Sequence, residues 1–278
     1  MNGTLKNRAR SFLLDIGNIY LRRLRSIAAN EASQRNVAHL IKRLRPYRTQ
    51  FELIRIGPDG DGGYLLPDDL GNIKACFSPG VYTVSEFELE CLEMYNMKVF
   101  MADRSVDKPN LNISEDRYSF QKKFIGCTNN EEFMTMDEWV NSTPVEINSD
   151  LLLQMDIEGA EYEALINMSD SLVRRFRIMV IEFHDLQALW EQNFFRIAET
   201  VFSKILQTHV CVHIHPNNWD PVFSRHGIKI PNLTEFPFIR RDSVELKGFQ
   251  TSFPHRLDFD NTGKKHFPLP QSWYSDKP

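Results

Sequence analysis

Three short stretches of this 278-residue chain place ionisable side chains where chemistry is usually done. In the run from Leu151 to Leu165 an apolar segment ends on Asp156, then passes Glu158, Gly159 and Glu161 before a helical pattern begins. In Ile181-Glu182-Phe183-His184-Asp185 an acid and a histidine stand two apart, so on a strand they share a face. Val212-His213-Ile214-His215-Pro216-Asn217-Asn218 repeats that spacing with two histidines and closes on two amides. Polar groups at the ends of apolar strands are expensive to bury without partners. A divalent cation or a substrate hydroxyl held among Asp156, Glu182 and His184 would be such a partner, with His184 or His215 available as a base. The alternative is a satisfied hydrogen-bond network under a loop. Zinc is disfavoured, because no thiolate or His-rich spacing supports it.

Such groups act together only if a scaffold converges them. From Phe51 onward short apolar runs alternate with longer amphipathic ones, which predicts a parallel sheet with helices on both faces. The expected strands cover 75–77, 98–102, 151–155, 178–183 and 210–215, and the expected helices 86–95, 137–140, 161–167 and 186–207. A further strand over 233–240 should return beside 210–215 and close the far edge. In such sheets ligands collect where the carboxyl ends of the strands meet the following loops, so Asp156, Glu158 and Glu161 should point into a working crevice.

A second constellation lies upstream. Ala75-Cys76-Phe77-Ser78-Pro79-Gly80-Val81 reads as a strand and a small-residue turn, and about 23 residues after Gly80 the next strand ends on Asp103. A glycine that lets backbone approach a ligand, followed by an acid for ribose hydroxyls, suits a nucleoside. Tyr82 and Val84 stand where dinucleotide sites carry more glycines, so a pyrophosphate fits poorly. The loop Ile56-Gly57-Pro58-Asp59-Gly60-Asp61-Gly62-Gly63-Tyr64 holds four glycines, more than a turn needs, which suggests backbone lying close against something. Calcium is excluded there, because the required twelfth-position Glu is missing.

The formal charge of −4 hides an asymmetry. Residues 1–48 carry eleven Lys or Arg against Asp15 and Glu31, a surplus of +9, so the remainder carries −13. Apolar positions Phe12, Ile16, Ile19 and Leu24, then Val37, Leu40, Ile41 and Leu44, recur at helical spacing, which predicts two amphipathic helices ending before Pro46. The expected division is therefore a basic helical arm, 1–48, on a body, 49–278. Such an arm suits peripheral contact with acidic lipid or a homo-oligomer; nucleic acid is not expected, for want of interleaved aromatics. The four scattered cysteines read as reduced thiols of a cytoplasmic protein, with membrane association limited to the cytoplasmic face. No apolar run approaches the roughly 18 residues that span a bilayer.

Taken together, Asp61-Gly62-Gly63-Tyr64, Ser78-Pro79-Gly80-Val81, Ser85 through Glu88, Asp103, Met155-Asp156-Ile157-Glu158-Gly159-Ala160-Glu161 and His213-x-His215-x-Asn217-Asn218 resemble the FkbM-type family of S-adenosylmethionine-dependent methyltransferases. The resemblance spans about residues 53–270 and is strongest in the Asp-x-Glu-Gly-Ala-Glu block. It implies an α/β, Rossmann-like, seven-stranded and mostly parallel sheet with an antiparallel last strand, carrying a helical extension at the N-terminus. It also implies S-adenosylmethionine bound by Asp61, Gly63, Tyr64, Ser78, Gly80, Val81, Glu86, Asp103, Arg104 and Asp156. The implied reaction is O-methylation of a carbohydrate or glycan-type hydroxyl, with Asp156, His184 and His215 catalytic. Glu158, His213, Asn217 and Asn218 would meet the acceptor, with Trp219 and Trp139 nearby, and a divalent Mg or Mn ion would sit on Asp156, Glu182 and His184. Two readings compete: a metal-dependent hydrolase built on Asp156, Glu182, His184, His213 and His215, and a non-catalytic adaptor on a methyltransferase scaffold.

Overall fold

The structure is a computed structural model, and it describes residues 30–81, 85–107 and 117–276. The expected first helix of the arm, and Tyr82 and Val84 of the glycine turn, lie outside these residues. In chain order the strands are β1 Leu53–Ile56, β2 Tyr64–Pro67, β3 Ala75–Pro79, β4 Lys98–Ala102, β5 Tyr118–Gln121, β6 Phe124–Ile125, β7 Phe133–Met134, β8 Leu151–Met155, β9 Phe176–Phe183, β10 His209–Cys211, β11 His215–Pro216, β12 Val222–Arg225, β13 Ile228–Pro231 and β14 Thr234–Arg240. The helices are α1 Gln34–Arg43, α2 Glu86–Met94, α3 Met136–Asn141, α4 Glu161–Asn167, α5 Asp170–Arg175 and α6 Gln192–Thr208, with a 3-10 turn at Leu186–Trp190.

The central sheet runs β10-β14-β9-β8-β3-β4-β5, with β11 also paired to β14. Neighbours from β9 across to β5 are parallel, and β14 is antiparallel to both β9 and β10. The returning strand is therefore not the outermost one; it inserts between β9 and β10. Seven strands lie along the path and an eighth, β11, arises because the strand expected over 210–215 is broken. Cys211 pairs Phe238 and His215 pairs Glu235, four residues of advance against three, which is one extra residue on this strand.

Strand residues alternate between two cores. Ala75, Phe77, Leu151, Leu153 and Met155 pack toward α1, α3, α4, α5 and α6. Cys76, Leu152, Ile178 and Val180 pack toward α2 and the β1–β2 hairpin. Both faces are thus covered, which is why the parallel strands read as unbroken apolar runs instead of alternating ones. Among the described residues the second face carries one helix, and a hairpin does the rest of the covering.

The described part of the arm departs from expectation. Helix α1 is capped by the Ser33 hydroxyl, which accepts from Asn36 N–H, and its Val37, Leu40 and Ile41 are buried in the first core together with Leu44. Arg45 pairs with Asp276 at 2.8 Å and donates to the Ser275 carbonyl, while Lys42 reaches the same Asp276 at 3.0 Å. This stretch packs on its own body, so residue 48 does not divide the core. Among the described residues no helix is long and apolar enough to cross a membrane.

Candidate active site

Three cavities open along the carboxyl ends of the parallel strands and share two side chains, Asp61 and Asp156. The largest, about 610 Å³, is lined by Gly80, Ala102, Asp103, Ser105, Phe124, Ile125, Phe133 and the turn from Asp156 to Ala160. A second, about 350 Å³, lies over Tyr64, Gly80, Val81, Glu86, Glu88 and Gln154. The third, also about 350 Å³, is lined by Glu158, Glu182, His184, Asn217, Trp219, Leu233, Asn261 and Thr262. An elongated ligand crossing the first two would present its middle to the third at Asp156.

Glycine makes this junction possible. Gly80 has φ +83°, and a Cβ there would stand 1.6 Å from the Asp156 carbonyl oxygen. Only a residue without a side chain lets the β3 turn pass so close to the end of β8. The four-glycine loop is likewise packed on itself: a Cβ on Gly63 would meet the Pro58 carbonyl at 2.0 Å. The half-buried loop is organised by Arg55, whose guanidinium donates to the carbonyls of Pro58 and Gly60, both at 2.7 Å, and to that of Leu257. Its product is the placement of Asp61 at the common corner.

Asp103 lies at the end of β4, buried, and accepts from both the backbone N–H and the hydroxyl of Ser105. Beneath the second cavity, the Ser78 hydroxyl lies within hydrogen-bond reach of Glu88 Oε1 and Gln154 Oε1 and can donate to one of them at a time, and Gln154 donates to the Tyr64 hydroxyl at 3.2 Å. Burial lifts Glu88 to about 6, so this network can hold a proton near neutrality. Ser78 is therefore floor, not lining, and Gly63 is a packing glycine. Arg104 does not line any of the three cavities; it turns outward to Glu132 at 3.8 Å.

The turn after β8 is held by Glu161. This fully buried carboxylate accepts from the backbone N–H of Ile157 at 3.2 Å, from that of Gly159 at 3.0 Å and from His184 Nδ1 at 3.1 Å. Glu158 thereby sits at φ +56°, an uncommon setting for a side-chain-bearing residue, with its exposed carboxylate 3.3 Å from His184 Nε2. Asp156 is 3.8 Å from the same nitrogen. Burial works against a charged His184, but Glu161, Asp156 and Glu158 outweigh it and raise the ring to about 9. Burial, opposed by His184 and reinforced by Glu158, Glu161 and Asp61, raises Asp156 to about 7. His184 therefore already carries its proton near neutral pH and is not a ready base, whereas Asp156 is poised to exchange one.

The ligand set expected on Asp156, Glu182 and His184 is rearranged. The atoms that come within 4.8 Å of one another belong to Asp156, Glu161 and His184. Glu182 is buried and accepts from Asn217 at 2.8 Å; burial, then Asp156 and Glu235, push its carboxyl well above the usual range. Glu235 is directly opposite it across the β9–β14 pair, and His215 opposite Glu235 across β11–β14.

The second histidine pair is elsewhere. His213 Nε2 is 2.8 Å and His215 Nδ1 3.5 Å from the same oxygen of Asp258, all three side chains being buried. Asn218 grips the C-terminal stretch, donating to the carbonyls of Thr262 and Lys264 and accepting from Thr262. His213, His215 and Asn218 therefore fasten the tail and line none of the three cavities. Trp139 is core, edge-on to Phe77, so it is removed from the acceptor contacts. Of the expected acceptor residues, Glu158, Asn217 and Trp219 do line the third cavity. The five hydrolase ligands separate into two groups, and no five-residue centre forms among the described residues. Glu161, expected to point into the crevice, is instead fully buried as the keystone of the turn; Gln154, Glu235, Asp258 and Asn261 are additions that the residue pattern did not single out, and Glu88 entered only within the Ser85 through Glu88 block.

Residues 104–209 match the family model of the methyltransferase FkbM domain. The FkbM segment runs from the end of β4 through α6, so it contains Asp156, Glu158, Glu161, Glu182 and His184 and leaves out Asp61, Gly80 and the tail. It is shorter than the span over which the sequence motifs resemble that family. Among solved structures, TYW2 of M. jannaschii in complex with AdoMet matches at 8% identity and TM-score 0.28, covering 61% of this chain and 71% of that one. Precorrin-6y C5,15-methyltransferase from Geobacter metallireducens GS-15 matches at 13% identity and TM-score 0.31, covering 76% and 92%. No curated protein matches the chain.

Proposed function

We propose that this protein is an S-adenosylmethionine-dependent O-methyltransferase acting on a hydroxyl of a carbohydrate or glycan-type acceptor. The observation that carries the reading is the meeting of three cavities at Asp61 and Asp156. The cavity at Gly80 and Asp103 suits an adenosyl group, with Asp103 accepting from ribose hydroxyls. The cavity over Glu86 and Glu88 suits the amino-acid end, where carboxylates can receive an ammonium. The sulfonium between them then faces the third cavity, and the FkbM match contains Asp156, one of the two side chains shared at that junction.

In the reaction an acceptor oxygen attacks the sulfonium methyl in line; the C–O bond forms as the C–S bond breaks, and sulfur leaves with the electron pair. An alcohol is a weak nucleophile near neutral pH, so its proton must go as the bond forms. Asp156 is the group placed to take it, with protonated His184 steadying the negative charge of the carboxylates around it. Asn217, whose amide is turned toward Glu182, offers hydrogen bonding suited to sugar hydroxyls. A divalent cation also fits the donors present: Asp156 Oδ1 and Glu161 Oε2 are buried with no hydrogen-bond partner and lie beside the imidazole. Bound on Asp156, Glu161 and a His184 that has given up its proton, it would supply Lewis acidity toward the hydroxyl in place of the Asp156 base.

Calorimetric titration with S-adenosylmethionine tests the cofactor half. Saturable binding, weakened about 10- to 100-fold in Asp103→Ala, is the expected result, on the scale of one lost charge-assisted hydrogen bond. No heat from the wild-type chain would rule the reading out.

A further inference from the structure

A fourth cavity, about 480 Å³, is a groove between α4 and α6. Tyr162 and Ile166 of α4 face Phe194 and Ile197 of α6 across it, the exposed Cys127 lines it too, and its charged lining residue is Glu163. Ile166 and Ile197 are 43% and 44% exposed, so the two helices leave an apolar stripe uncovered. The groove backs onto the active site: Tyr162, edge-on to Phe194, donates its hydroxyl to the carbonyl of His184 at 2.8 Å.

The chain supplies an occupant for this stripe. Residues 1–29 lie outside the described residues, and Asn30, which follows them, is fastened at the start of α6. Its carbonyl accepts from the Gln192 N–H at 2.8 Å, and Glu31 bridges Glu191 in antiparallel sense. Ile197 lies five positions beyond Gln192, about 8 Å along the helix, whereas residues 25–29 span up to about 17 Å when extended. The run before residue 25 can therefore reach the groove. Its Phe12, Ile16, Ile19 and Tyr20 recur at helical spacing and make one apolar stripe, the form in which a helix fills a groove. Charge agrees with this placement. Residues 1–29 hold six Lys or Arg against Asp15, a surplus of +5, and Arg23 stands one turn beyond Ile19. On the other side, Glu163 lines the groove and Glu191 occupies the N-cap position of α6, three residues before Phe194. An acidic lipid surface is the weaker occupant, because residues 49–278 carry −13 and would be repelled by it. A segment tethered beside the groove also needs little intrinsic affinity, since a short linker holds it at millimolar effective concentration.

We infer that residues 11–24 form an amphipathic helix that docks into the groove between α4 and α6 of its own chain, bracing Tyr162 and through it the His184 carbonyl. The inference does not depend on the methyltransferase reading.

Cys127 is the probe, because Cys76, Cys91 and Cys211 are buried. In the full chain its modification by dithiobis(nitrobenzoate), mapped by peptide mass spectrometry, is expected to be slow. The double variant Ile16→Glu, Ile19→Glu should accelerate it at least about tenfold, which corresponds to about 1.4 kcal/mol of docking. Ile197→Glu should do the same from the groove side, with the three buried thiols still unreactive as the sign of an intact core. In the full chain carrying Ile16→Cys, a short bismaleimide should join the new thiol to Cys127 within one chain. A Cys127 that reacts equally fast in the wild type and both variants, or no crosslink, would overturn the inference. So would a crosslink found only between two chains, which assigns the groove to a second copy. Protection of Cys127 that appears only with anionic vesicles overturns it as well, in favour of a lipid surface.

Discussion

In the proposed reaction Asp156 is the side chain on which the chemistry turns, because it lines all three cavities and sits next to the imidazole of His184. Its replacement by Asn keeps the shape and removes the base; methyl transfer should fall about 10²- to 10⁴-fold while S-adenosylmethionine affinity changes little. The pH profile gives a second check. Only the deprotonated carboxylate can accept a proton, and burial raises it to about 7, so kcat/KM should rise with pH through that value and flatten above it. A profile flat from pH 6 to 8 would remove Asp156 from the base role. Asp156, Glu182 and His184 were legible in the sequence because strand alternation fixes which residues share a face. Glu161 was visible as part of a motif, yet its role was not, since nothing in spacing says that a buried carboxylate will collect two backbone N–H groups and a ring nitrogen. His215 misled for the opposite reason: alternation places it correctly beside His213, but cannot reveal that Asp258, 43 positions further on, claims both rings.

At the scale of elements, the contact between the β3 turn and the end of β8 sets the site. Gly80→Ala must open that contact or twist a residue at positive φ, and the expected outcome is a marked fall in thermal midpoint with loss of cofactor binding. Retained affinity would show that the two strand ends tolerate separation. The edge formed by β10 and β11 makes a different prediction. Burial opposes the charge on His215, but Glu235 and Asp258 raise its pKa from 6.5 to about 9. A folded value above the free one stabilises fully below pH 6.5, and that contribution is lost as pH climbs through 9, an upper limit of about 3 kcal/mol. Thermal midpoints should therefore decline between pH 7 and 10, and the decline should be shallower in His215→Asn. Equal slopes would place the alkaline sensitivity elsewhere. The parallel strands β3, β4, β8 and β9 and most helices were readable from apolar runs. The β12–β13 hairpin was not, because its turn at His226 and Gly227, both at positive φ, carries no standard two-residue turn signature. Edge strand β5 was missed because its Tyr-Ser-Phe-Gln run is only partly buried and reads as a polar connection.

For the molecule as a whole, the described part of the basic arm belongs to the core. Leu40 is fully buried on the inner face of α1, so Leu40→Ala should lower unfolding free energy by about 2–5 kcal/mol in urea titration, a cost no detachable extension would show. A change under about 0.5 kcal/mol would restore the picture of a separate arm. The sequence pointed to an arm because charge and helical periodicity both change near residue 48; neither property reports which surface an amphipathic helix covers, and here the covering surface is the body itself.

The donor half of the site is built from strand ends that the sheet cannot move, whereas the opposite wall is made of Asn217, Trp219, Asn261 and Thr262, on segments stitched together by Asn218. Two loops joined by side-chain amides can be exchanged, lengthened or recoded without disturbing the β3–β8 junction. Diversification within this architecture is thus expected to run through its closing residues: chains that keep one methyl donor and one reaction can acquire new clientele by rewriting the last few dozen positions.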